Sequence, residues 1–75
     1  MNKKRGAAIV ALTRALDDAR AQLENLREEE QEAMDALPDS FQQGDQGQAM
    51  QEGLDNLEGA ISDLESAVTS LETIE

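Results

Sequence analysis

The stretch Leu37-Pro38-Asp39-Ser40-Phe41-Gln42-Gln43-Gly44-Asp45-Gln46-Gly47 decides how this 75-residue chain folds. It holds the only proline, the only phenylalanine and two of the five glycines. Proline lacks a backbone donor and its ring clashes with the preceding helical turn, so a helix arriving from the N-terminal side must stop near Leu37. Gly44 and Gly47 accept backbone angles closed to other residues, and Asp39, Ser40 and Asp45 carry side-chain oxygens that suit helix-start amides. Pro38, Phe41 and Gly44 therefore read as the residues of a turn between two helices. Phe41 is expected to fold back over Leu37 and Met50 and plug the turn end, a recognition role being the alternative.

Before the turn, Ile9, Leu12, Leu16, Ala19, Leu23, Leu26, Glu30, Ala33 and Leu37 recur at alternating spacings of 3 and 4. That is a heptad seam with Ile9 at a and Leu12 at d. After the turn, Met50, Leu54, Leu57, Ile61, Leu64, Val68 and Leu71 repeat the pattern with Leu54 at a. The spacing predicts one domain over 1–75, with helix one over about 6–37, a turn over 38–45 and helix two over about 46–74. Gly53 and Gly59 inside helix two cost roughly 1 kcal/mol each against alanine, and a packing role for Gly53 would offset part of that.

Folded antiparallel about the turn, the two seams match layer by layer: Leu37 with Met50, Ala33 with Leu54, Glu30 with Leu57, Leu26 with Ile61, Leu23 with Leu64, Ala19 with Val68 and Leu16 with Leu71. The same register sets Arg27 opposite Glu58 and Arg20 opposite Glu65, as the flank of a specified pairing should be. Glu30 alone breaks the apolar rule. It is expected to reach solvent past Leu57, with a pair to Arg27 or a role as polar register device as alternatives. The other flank carries Ala8 and Ala15 on helix one with Gly53, Ala60, Ala67 and Ile74 on helix two. A row of small residues admits another helix closely, so the expected architecture is all-α: a coiled-coil-like helical hairpin that forms a homodimeric four-helix bundle.

Composition narrows the function. Net charge is −11, with all six basic residues in 1–27 and fourteen acids and no lysine or arginine in 28–75. Such a surface repels nucleic acid and anionic membrane and suits a basic protein partner. There is no cysteine and no histidine, which removes disulfides, thiolate sites, the commonest general base and the commonest transition-metal ligand. Glu28, Glu32 and Asp35 share one face and suit at most weak chelation of a hard cation. The hydroxyls have no histidine to activate them, the only lysines are Lys3 and Lys4, and Gly44-x-x-Gly47 lacks the lysine of a phosphate loop. No enzyme, cofactor or metal is expected. Lys3-Lys4-Arg5 before Gly6–Leu12 faintly imitates a signal peptide, but Arg14 interrupts the short apolar run, so the compartment is read as cytoplasm with no membrane contact.

From Arg27 onward, Glu29-Glu30-Gln31-Glu32, Asp35-Ala36-Leu37-Pro38-Asp39 and Leu54-Asp55-Asn56-Leu57-Glu58 resemble a group of very short acidic proteins of bacteriophages and prophages. The group pattern is an acidic run ending in Glu-Glu-Gln-Glu, an Asp-x-Leu/Met-Pro-Glu/Asp turn followed by a glycine or serine, and a second helix with acids around Leu and Ile. The resemblance implies a helical hairpin of phage or mobile-element origin and no particular target. Three functions are then open. The first is a protein–protein interaction module docking on a host or phage protein. The second is a DNA mimic that inhibits a DNA-binding enzyme such as a host nuclease or defence system of the restriction or CRISPR kind. In it Glu28, Glu29, Glu32, Asp35, Asp55, Glu58, Asp63, Glu65 and Glu72 stand in for phosphates. The third is a structural oligomerisation rod.

Overall fold

The computed structural model describes residues 1–74. Helix α1 spans Lys3–Asp35, a short α2 spans Asp39–Gln42 and α3 spans Asp45–Glu72. α1 and α3 pack against each other as an antiparallel hairpin, a rod of 58 × 14 × 12 Å. Its radius of gyration is 17.2 Å, against about 11 Å for a compact domain of this length.

Helix α1 starts at Lys3 rather than near Gly6 because Asn2 caps it: Asn2 Oδ1 accepts from the Arg5 N–H at 2.8 Å. That bond satisfies one orphan amide of the first turn. It works against the unfavourable placement of Lys3, Lys4 and Arg5 at the positive end of the helix dipole.

Helix α1 ends at Asp35, ahead of Pro38, and the turn then tightens into α2. The Pro38 carbonyl accepts from the N–H groups of Phe41 (2.9 Å) and Gln42 (3.1 Å). The Gln42 side-chain amide reaches back and donates to the carbonyls of Leu37 (2.9 Å) and Asp35 (3.4 Å). These belong to the end of α1, where carbonyls have no partner within the helix. Gly47, buried in the first turns of α3, lies directly on the Gln42 backbone, and a Cβ there would overlap the Gln42 carbonyl.

The turn thus departs from expectation in three ways. Among the described residues no glycine has positive φ, so Gly47 is required for close approach rather than for backbone freedom, and Gly44 is simply the extended N-cap of α3. Asp39, Ser40 and Asp45 do not cap, since the N-cap residues are Pro38 and Gly44 without side-chain bonds. Phe41 does not plug the turn end; it is 54% exposed.

Leu54 and Ile61, at 2% and 8% exposure, are the only buried apolar side chains among the described residues. Leu16, Leu23, Leu37, Met50, Leu57, Leu64, Val68 and Leu71 line the seam half-buried. Leu26 is not in it. Leu26 is 51% and Leu12 59% exposed, while Thr13, Arg20, Arg27 and Met34, each one position beyond a d residue, are half-buried instead. α1 has rolled about its axis so that a and e, not a and d, face α3.

The cause is side-chain length. Position d alternates leucine with Ala19 and Ala33, too small to fill the space, whereas e offers two arginines and a methionine. In this register Met34, Arg27 and Arg20 lie level with Leu54, Ile61 and Val68. Arginine stems cover apolar surface while their heads stay wet, and Arg27 lines a depression with Ile61 in the position expected for Leu26.

Candidate interaction surfaces

The roll divides the rod into two unlike flanks. On one flank the e residues of α1 meet α3, and Arg27 Nη1 reaches Glu58 Oε1 at 3.6 Å, across the helices as the register requires. Glu58 is exposed and Arg27 half-buried with its head in solvent, so this pair is worth ~0.2–1 kcal/mol at most. Arg20 does not pair with Glu65. Its Nε donates to Asp17 Oδ1 at 3.0 Å and its Nη1 to Glu24 Oε1 at 2.9 Å, both within α1. The Asp17 hydrogen bond first, then the charges of Glu24 and Asp17, push the guanidinium pKa further up. Arg20 is a fixed cation in a local carboxylate clamp, and intrahelical neighbours win because they require no reach across the groove.

The opposite flank is apolar. The roll moves the d row of α1 outward to join Ala8 and Ala15, so Ala8, Leu12, Ala15 and Leu26 are all exposed along one side. Gly53, Ala60 and Ala67 border it half-buried on α3. Gly53 plays no packing role within the chain, since a Cβ there would meet nothing within 4 Å. Ile74 does not continue this row. It lies past the end of α3 and lines a depression of about 380 Å³ at the open end of the hairpin with Ile9, Val10, Thr13 and Leu71. In this register α3 ends near the level of Thr13, and Lys3–Val10, about 12 Å of α1 at ~1.5 Å per residue, projects beyond it.

Glu28, Glu29, Glu32, Asp35, Asp55, Glu58, Asp63, Glu65 and Glu72 are exposed. They do not share one face, because α1 and α3 point their outer surfaces in opposite directions. Glu28 and Glu32 lie one turn apart on α1, and Asp35 accepts from the Gln31 amide at 3.0 Å. No three acidic residues among those described are grouped to hold a metal ion. Glu30 is half-buried beside Leu26, Glu29 and Leu57, and Arg27 has turned away from it to Glu58.

Charge is sorted along the rod rather than around it. Residues 28–59, the turn half, carry ten acids and no base; residues 1–27 and 60–74, the open half, carry six of each. None of the described helices is long and apolar enough to cross a membrane. Sequence reasoning missed the structural role of Gln42, which is visible only once the turn is folded, and the exposure of Leu12 and Leu26, which the long e residues signal. No protein-family model, no curated protein and no solved structure matches the chain.

Proposed function

We propose that the chain is a non-catalytic protein–protein interaction module that pairs with a second copy through its apolar flank and offers its acidic turn half to a basic protein surface. The observation that carries the reading is the missing core. A rod with two buried apolar side chains exposes 5587 Å², whereas a compact monomer of 8.1 kDa exposes about 4,500 Å². The excess of roughly 1,100 Å² is comparable to the ~800 Å² that each partner buries in a standard interface. The resemblance to phage and prophage hairpins supports a mobile-element origin and a bacterial cytoplasm as its setting.

Sedimentation equilibrium tests the reading. The expected result is a species of about twice the 8.1 kDa chain mass whose population grows with concentration. A single 8.1 kDa species at every concentration would refute self-association.

The ten carboxylates of the turn half, of which Glu58 meets Arg27 across the helices, favour a second reading, a DNA mimic acting on a DNA-binding enzyme. A mimic competes with duplex DNA for a basic DNA-binding protein and loses affinity steeply between low and high salt. Binding to that protein that ignores both salt and DNA would exclude the mimic.

A further inference from the structure

Resting on that reading of self-association, we infer that the two copies pair α1 against α1 in opposite directions, so that the projecting basic end of each lies along the acidic turn half of the other. Three observations converge on this arrangement. The first is the position of the exposed leucines. The midpoint of Lys3–Asp35 is Ala19, and Leu12 and Leu26 stand seven residues to either side of it on the same row. Full antiparallel overlap of two α1 helices therefore sets Leu12 of one copy level with Leu26 of the other, twice. Ala19 then sits at the two-fold axis, where a small side chain lets the helices approach.

The second observation is charge. In this overlap Lys4 and Arg5 of one copy come near Glu32 and Glu29 of the other, while Lys3 and Asp35 are level with each other on the outer side. Pairing with both turns at the same end would instead stack ten acids on ten, and three basic residues on three. Like charges held side by side suppress the wrong arrangement, and opposite charges fix register. One contact works against the overlap: Asp18 meets its own copy near the axis, a single exposed like-charge pair set against two sets of opposite charges. The third observation is the projection itself. Lys3–Val10 runs past the end of α3 and meets it only where Gly6, Ile9 and Val10 share a depression with Leu71 and Glu72, and the antiparallel partner supplies a helical neighbour along the rest of that length. The symmetry is closed, so the pairing stops at two copies and does not grow into a filament.

Engineered disulfides decide the matter, and the chain has no cysteine to confuse them. Ala19→Cys is expected to cross-link to itself under mild oxidation. Equimolar Leu12→Cys and Leu26→Cys are expected to form the mixed disulfide, with little of either self-linked product. Leu12 and Leu26 are exposed and Ala19, half-buried, changes only from a methyl to a thiol-bearing side chain, so the hairpin itself is expected to keep its helicity by circular dichroism. Charge reversal gives a second readout: Lys3→Glu, Lys4→Glu and Arg5→Glu together should weaken association about tenfold or more at low salt. Efficient self-linking of both Leu12→Cys and Leu26→Cys, with association indifferent to the reversal, would overturn the antiparallel arrangement and leave a dimer with parallel hairpins. A monomer by sedimentation would overturn the dimer and this arrangement together.

Discussion

Gly47 sits so close to the Gln42 peptide that any side chain there meets a carbonyl group, and the neighbour is backbone that cannot rotate aside. Gly47→Ala should therefore destabilise the hairpin by about 1–3 kcal/mol, the usual cost of forcing an atom into occupied space. In thermal melts at fixed concentration that is a fall of ~4–8 °C per kcal/mol; an unchanged melting temperature would show that the turn does not need this contact. Gly59 is the opposite case. Its Cβ position is empty and its φ is helical, so Gly59→Ala should stabilise by about 1 kcal/mol through helix propensity alone. The sequence marks Gly47 and Gly59 as helix-breaking residues alike. What separates them is the return of the chain over Gly47, a tertiary fact that residue type does not encode. Asn2 was more accessible to sequence reasoning, since an asparagine directly before a helical run is a cap signal in its own right.

At the scale of the helices, the hairpin is legible because two independent heptad rows match in length and meet at a proline. The roll of α1 is less so. Counting leucines places Leu26 inside, yet the half-buried residue at that level is Arg27, which lines a depression with Ile61 while its head meets Glu58. A pattern that scores arginine as polar throughout misses the apolar stem that does the covering. The roll predicts how substitutions rank. Arg27→Met keeps the stem and should stay within about 0.5 kcal/mol of the original, while Arg27→Ala uncovers Ile61 and should lose ~1–2 kcal/mol. Glu58→Ala removes only the exposed pair and should cost less than ~1 kcal/mol. Chemical denaturation of the three variants checks the order; equal losses for Arg27→Met and Arg27→Ala would mean that charge rather than packing holds the seam. Arg20→Ala reports on the local clamp with Asp17 and Glu24, and its effect should not change when Glu65 is removed as well.

Over the molecule as a whole, the acidic turn half acts on its own stability. Glu28 has Glu24 and Glu32 one turn to either side, and like charges at that spacing cost ~0.2–0.5 kcal/mol each in an isolated helix. Glu28→Gln should raise the melting temperature in ~0.01 M salt and have no effect near 1 M, where the Debye length has shrunk from ~30 Å to ~3 Å. A gain that persists at high salt would point to helix propensity instead. The acidity of the chain is plain from its composition, but its concentration at one end of a rod emerges only when the hairpin brings residues 28–59 together. The location of the turn has one more consequence. Gln42 and Gly47 fasten the helices at one end, while at the other the first turn of α1, Lys3–Arg5, is exposed and runs on past the end of α3. The hairpin should close and open like a zipper. Amide hydrogens around Leu54 and Ile61 should exchange with deuterium last, and those of the first two turns of α1 first. In the paired form the first turns of α1 would be protected as well, so amide exchange followed against concentration would register the partner's arrival at the free end.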